Sequence, residues 1–326
     1  MTLTRADRPH RWPRTGTTAT GHVTTTGSAQ QRRQRRTSRL TALAFLAPLA
    51  LYLAAFYLYP LYRNLDLSLR DYTVRSFVSG DAPFSGLDNF RTVLDDPTFG
   101  PALTHTMVFT LVSIACQYTA GLALAVFFNR GFRLSGTLRA LFLIPWLLPL
   151  IVSASTWSWM FNSESGVINY ALSLVGVGPV DWLASPDWSL ASVIIANVWI
   201  GIPFNLVILY SGLQNIPAEL YEAAALDGAS AWQQFWRITF PLLRPVSAIT
   251  LLLGLVYTLK VFDLIWIMTK GGPGDSSSTL ATWSYQLGFG TLMPKFGAGA
   301  AVGNLLILIA LVFGLLYIRV QRKQEA

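Results

Sequence analysis

Apolar residues in this chain gather in six long runs separated by polar connections, at roughly 40–62, 103–128, 138–160, 190–213, 242–268 and 298–320. Each offers about 20 or more mostly apolar residues, enough for a helix rising about 1.5 Å per residue to cross a hydrocarbon core of about 30 Å. The pattern predicts an all-α integral membrane protein with about six transmembrane helices. Pro145, Pro149 and Pro203 fall inside these runs. Each removes an amide donor and is expected to kink its helix, with neighbouring helices satisfying the freed carbonyls.

The segment before the first run is different. Residues 1–39 are rich in Thr, Arg, Gly and Ser and almost free of large apolar groups, the composition of a disordered tail. Its basic end resembles the start of a signal peptide. The run that follows is too long for the apolar part of one, and no small-residue cleavage site interrupts it. Residues 40–320 are therefore expected to form the membrane domain, and 321–326 a short polar end.

Composition agrees with the pattern: 52% of the 326 residues are hydrophobic and only 12% charged, about half the charged fraction of an average soluble domain. The net charge of +8 is concentrated, because nine of the 24 Lys and Arg residues precede residue 40. Such a cluster beside a span reads as a topology signal rather than a nucleic-acid-binding face. Six crossings place 17 basic residues on the side of both termini and six on the other, with Lys260 left inside a run. The excess places both termini in the cytoplasm. The single cysteine, Cys116, reads as a small buried apolar residue, and His10, His22 and His105 are too scattered to form a metal site.

The most informative stretch is the connection after the fourth run, residues 214–245, which reads QNIPAELYEAAALDGASAWQQFWRITFPLLRP. Asn215 or Ile216 can cap a helix whose first turn holds Pro217 and Glu219, suited to fixed φ and to the positive helix end. Gly228 tolerates a left-handed stop. Ser230 followed by Gln233 has the form of a capping box for a second helix, with Trp232, Phe235 and Trp236 on its apolar face. Two short helices at the cytoplasmic surface would result. Alanines there let another backbone approach closely, and an exposed Glu can pair with a partner's Arg. The alternative is an amphipathic helix resting on lipid.

Here the chain resembles a known family. Glu222-Ala223-Ala224, then Asp227-Gly228, then Ile238 and Pro241 resemble the EAA loop of binding-protein-dependent ABC importers, with Phe240 where Leu is usual. The resemblance implies an ABC type I importer transmembrane domain in a bacterial cytoplasmic membrane. It implies that this loop docks on a separate cytoplasmic ATP-binding subunit, present in two copies. Two further stretches, Phe262-Asp263-Leu264-Ile265-Trp266 with Thr269 and Gly271-Gly272-Pro273, and Gly86-Leu87-Asp88-Asn89-Phe90, resemble the maltose and glycerol-phosphate permeases. The expected partners are then a second permease subunit, an extracytoplasmic solute-binding protein and membrane lipid, with no nucleic acid. No G-x-x-x-x-G-K-[ST] phosphate loop occurs in the sequence. The chain is therefore expected to be no enzyme and to bind no cofactor itself, with ATP-Mg held by the partner ATPase.

A sugar path needs amides and hydroxyls for hydrogen bonds and aromatic faces for stacking. Polar groups at bilayer depth are costly enough to be functional candidates. Gln117, Asn197, Trp199, Asn205, Tyr257, Lys260, Asp263 and Asn304 are those candidates. The plainer reading is that Gln and Asn bridge helices and Trp anchors at headgroups. Lys260 and Asp263, three apart on one expected helix, would share a face and form an ion pair. Another solute class, or an ion-coupled secondary transporter, are the competing functions. The latter would require inverted repeats and buried carboxylates, whereas Asp263 is the one acid well inside the runs.

Overall fold

The computed structural model describes residues 44–324. The expected tail, and the start of the first run at Leu40, lie outside the described residues. The chain divides into two units, Met1–Pro60 and Leu61–Ala326. The described part of the first belongs to helix α1, Ala44–Ser68. Its 18-residue apolar window has no buried residue. A π-helical turn, Ala54–Leu58, widens it.

Beyond α1 the helices are α2 (Val74–Ser79), α3 (Asp88–Leu94), α4 (Phe99–Asn129), α5 (Ser135–Phe142), α6 (Ile144–Leu147), α7 (Leu150–Met160), α8 (Val167–Ser173) and α9 (Ser189–Gln214). They are followed by α10 (Ala218–Leu226), α11 (Ala231–Leu259), α12 (Asp263–Met268), α13 (Leu280–Phe289) and α14 (Phe296–Gln324). No strand occurs among the described residues. Among the described residues five helices, α1, α4, α9, α11 and α14, are long and apolar enough to cross a membrane.

Two of the six expected spans differ from the sequence reading. The third is broken into α5, α6 and α7 rather than kinked. Pro145 can only sit in the first turn of α6. Leu148, before Pro149, is held extended at φ −72° and ψ 142°, as a residue preceding proline prefers. The fifth is shifted: α11 starts at Ala231, eleven residues earlier than expected, and ends at Leu259. The chain leaves helical geometry around Phe262 (φ −120°) and restarts with Asp263 in the first turn of α12. Pro203 is accommodated inside a continuous α9, and α14 carries helix past residue 320 to Gln324.

The most extensive helix packing joins α4 to α9, and α11 packs on both. Their shared core contains Ala125, Phe128, Leu206, Leu209, Leu213 and Leu243. A Cβ at Gly121 would lie 2.5 Å from Asn205 Cβ and 3.1 Å from the Leu206 backbone nitrogen, so only glycine permits this approach. Gly121→Leu is expected to lower stability by about 1–3 kcal/mol or more, since overpacking at a helix crossing forces the backbones apart; thermal denaturation in detergent reads the change. Cys116, expected to be buried, is exposed on α4, because the face turned to α9 is the one carrying Ser113, Gln117 and Gly121.

A second core joins α3, α4, α13 and α14 through Val93, Ala102, Leu280, Trp283 and Ala301. Beside it the loop after α1 is clamped by Asn89, whose Nδ2 donates to the carbonyls of Ser68 (3.0 Å) and Arg70 (2.8 Å). Asp66 accepts from Arg63 at 2.9 Å and Arg70 at 2.8 Å. Its hydrogen bond and charge hold the Arg70 guanidinium pKa above its ordinary value.

The Gly-Gly-Pro segment is a compact turn in which Lys270, Gly271, Gly274 and Asp275 all take positive φ. Ser277 Oγ lies 2.7 Å from the Gly272 carbonyl and 2.8 Å from Thr269 Oγ1. These bonds satisfy a backbone that no regular element serves.

Candidate functional site: a cavity between helices and a surface helical loop

Gln117 on α4 and Asn197 on α9 meet where these two helices cross. Gln117 Nε2 donates to the Asn197 carbonyl at 2.9 Å. Gly201, one turn further along α9, makes room for that amide, since a Cβ there would overlap it. Both side chains face a cavity of about 280 Å³ bounded by α4, α6, α7, α9 and α11.

Trp146 from the broken third segment, Phe204 from α9 and Tyr257 from α11 supply its aromatic walls. Their rings form a row, with centroids 6.1 Å apart for Trp146–Phe204 and 5.7 Å for Phe204–Tyr257. Thr258 adds a hydroxyl. Asn197 is 7% exposed, and its Nδ2 has no hydrogen-bond partner. An unpaired buried donor costs about 1–3 kcal/mol. Its place on a cavity wall marks a position where a ligand hydroxyl or water would be held.

Of the eight candidate path residues, the structure brings Gln117, Asn197 and Tyr257 together here. Lys260 is adjacent, with Nζ 5.0 Å from the centre of the Tyr257 ring. It is not ion-paired to Asp263, because α11 ends before it and the intervening non-helical residues destroy the shared face. Trp199 turns away and meets Trp157 edge-on at 5.9 Å. Asn205 donates to the Gly201 carbonyl at 2.9 Å and is a packing residue. Asn304 accepts from Asn64 at 2.8 Å, away from this cavity. Trp146 and Phe204 were missed by sequence reasoning. The Pro145–Pro149 pair was the available signal for Trp146, because a broken helix presents side chains that a straight one would not.

The loop between α9 and α11 forms the second part of the site. α10 starts after Pro217 rather than from a cap at Asn215 or Ile216, and Pro217 stands extended at φ −59° and ψ 134°. Glu219 lies in its first turn, where a carboxylate suits the helix dipole. Asp227 ends the helix, and Gly228 reverses the chain at φ +75°.

Ser230 caps the next helix by the expected capping box, its Oγ accepting from Gln233 N–H while Gln233 Oε1 accepts from Ser230 N–H. That helix is not a separate short one, however. It runs through a π-helical turn, Phe235–Thr239, directly into α11. Ile238 and Pro241 therefore belong to the base of a long helix. Glu222 and Ala223 are exposed and Ala224 half-buried, and no residue of α10 is fully buried. Trp232, Phe235, Trp236 and Phe240 cluster beside it, with Trp232 70% exposed.

An exposed helix with acids and alanines on its surface stands at the base of a long apolar helix whose other end borders a mostly apolar cavity carrying two amides. Comparison with known proteins identifies the family. Residues 117–325 match the family described as binding-protein-dependent transport system inner membrane component, and the chain belongs to that family. It is a multi-pass membrane permease.

Among its relatives is the trehalose/maltose transport system permease protein MalF of Thermococcus litoralis, 38% identical over 291 residues that cover 88% of this chain and 95% of that protein. Another is the lactose transport system permease protein LacF of Rhizobium radiobacter, 34% identical and covering 86% of this chain and 94% of that protein. Among solved structures, a chain of a bacterial ABC transporter involved in the import of the acidic polysaccharide alginate has the same fold. Its TM-score is 0.76 at 24% identity, covering 90% of this chain and 99% of that one.

Proposed function

We propose that this chain is the permease subunit of an ABC importer that moves a sugar inward across the bacterial cytoplasmic membrane. In this reading the chain performs no chemistry on the solute. A solute-binding protein delivers the sugar from outside, and a second permease subunit completes the pathway. Two copies of a separate ATPase, holding ATP-Mg, dock on α10. Both termini then lie in the cytoplasm, in keeping with the excess of basic residues on that side.

The single observation that carries the sugar reading is the unpartnered Nδ2 of buried Asn197, on a cavity walled by Trp146, Phe204 and Tyr257. A sugar offers an oxygen acceptor to such a donor and C–H faces to such rings. The permeases for trehalose/maltose and lactose among the relatives support the same class of solute.

Docking on α10 is supported by its exposed Glu222, which has no ion-pair partner within the described residues, and by the left-handed turn at Gly228. Glu222 would meet a cation of the ATPase, and Ala223 and Ala224 would let the two backbones approach. Purification of the tagged chain in mild detergent, followed by mass spectrometry, tests this. An ATPase, a second permease and a binding protein recovered in fixed proportion are expected, and the recovered binding protein can be titrated with a sugar panel. A chain that purifies alone from its native membrane contradicts the proposal.

A further inference from the structure

α10 is attached to the rest of the protein lightly. It buries no residue completely, and Pro217 on one side and Gly228 on the other end its helical geometry. Tyr221 is a half-buried exception on a mostly exposed helix. Its hydroxyl lies 3.0 Å from Oγ1 of Thr239. Among the described residues, no other side-chain hydrogen bond joins α10 to a different helix.

Thr239 is buried at 7% exposure and closes the π-helical turn at the base of α11. Its Oγ1 donates to the Gln234 carbonyl at 3.5 Å. Either hydroxyl of the Tyr221–Thr239 pair can donate to the other. The two hydroxyls link α10 to the backbone of the widened turn. π-helical turns inside α-helices are frequently found at functional sites.

The surroundings of this bond are open. A cavity of about 320 Å³ lies beside it, lined among others by Asn129, Arg130, Tyr221, Gln234 and Thr239. Below it the ends of α4 and α9 are tied to each other by Gln214 Nε2 donating to Asn129 Oδ1 at 2.5 Å. A push on α10 therefore has two outlets: collapse into the void, or displacement of α11. A hydrogen bond spanning the edge of the void favours the second.

We propose that Tyr221 and Thr239 are a positioning pair, a strut that passes displacement of α10 into α11 and so to Tyr257 and Val261 on the cavity wall. The proposal rests on the reading of α10 as the ATPase-docking helix. The pair touches neither solute nor nucleotide. Its role is to make the movement of one helix the movement of the other.

The test uses the purified complex with its ATPase, partner permease and binding protein, in a Cys116→Ser, Val261→Cys background. The rate at which a membrane-impermeant maleimide labels residue 261 is measured without nucleotide and after trapping with ATP and vanadate. Tyr221→Phe and Thr239→Val are compared with Thr239→Ser, which keeps the hydroxyl.

Tyr221→Phe and Thr239→Val are expected to retain the ATPase and its hydrolysis rate, but to shrink the trapping-induced change in labelling about fivefold, the worth of one net hydrogen bond. Thr239→Ser is expected to preserve the full change. A full change in Tyr221→Phe, loss of the ATPase from that variant alone, or a Thr239→Ser variant that behaves like Thr239→Val overturns the strut. An unsubstituted chain that retains no ATPase overturns instead the docking reading beneath it.

Discussion

Gly201→Val is expected to reduce sugar uptake by more than about tenfold while leaving the ATPase bound, because losing a charge-free hydrogen bond and orphaning its donor together remove about 1–3 kcal/mol. A Cβ at this position overlaps the Gln117 amide. Gln117 must then leave the Asn197 carbonyl, to which it donates at 2.9 Å, and the added methyl groups fill part of a cavity of only about 280 Å³. One substitution thus removes a donor and the space for the solute.

The measurement is uptake in proteoliposomes beside ATP hydrolysis and the melting temperature of the purified complex. Phe204→Ala provides the opposite perturbation, enlarging the cavity and interrupting the aromatic row of Trp146, Phe204 and Tyr257. It is expected to weaken uptake by raising the sugar concentration needed for half-maximal rate. Wild-type uptake in a Gly201→Val protein of normal stability would remove this cavity from the pathway.

The second large effect is expected at Gly228. Its φ of +75° lies in the left-handed region, which costs a residue with a Cβ roughly 1–2 kcal/mol. Nothing lies within 4 Å of an added Cβ, so the chain itself has room for a side chain there. Gly228→Val is expected to shift the turn out of its left-handed geometry and reduce ATPase recovery by at least about tenfold, the equilibrium equivalent of about 1.4 kcal/mol.

Gly228→Asn tests which property matters, since Asn visits this conformation routinely. Recovery of the ATPase with Asn but not Val means that the turn geometry is the requirement. Loss with both means that the partner's surface approaches closely enough to exclude any side chain. Full recovery with Val contradicts docking at this loop.

Much of the architecture was legible from the apolar runs. Long helices declare themselves when about 20 consecutive residues avoid charge, and α4, α9 and α14 lie where such runs predict them, while α11 overlaps its run but starts eleven residues before it. The misread segments share a cause. A hydropathy run records what the surroundings tolerate, and lipid or a buried helix crossing tolerates an apolar residue in any backbone geometry. The breaks at Leu148–Pro149 and at Lys260–Phe262 therefore fall inside continuous apolar stretches. Pro149 did carry a local signal for the first break, through the extended geometry it imposes on the residue before it. No residue near Lys260 announces the second, and the expected Lys260–Asp263 pair failed with it.

The same limit separates the cavity residues from the other polar candidates. Gln117, Asn197, Asn205 and Asn304 are alike in sequence, each an amide inside an apolar run. Their roles part only through what lies across the helix interface. Asn205 closes on its own helix at Gly201, and Asn304 finds Asn64 at 2.8 Å. Asn197 is left with a free Nδ2. The loop was more readable, because turn chemistry is local. Gly228 and the Ser230–Gln233 capping box announce a reversal and a helix start within a few residues. The continuity of that helix through a π turn into α11 depends on packing around Thr239 and was not visible.

The most direct test of the account is solute accumulation in proteoliposomes that contain this chain, its second permease and the ATPase, with the binding protein and a radiolabelled sugar on the external side and ATP enclosed. The account predicts accumulation that requires both ATP and the binding protein, is stopped by vanadate and is indifferent to a protonophore. Uptake by this chain alone, without ATP and driven by an imposed ion gradient, would contradict it and make the protein a secondary transporter.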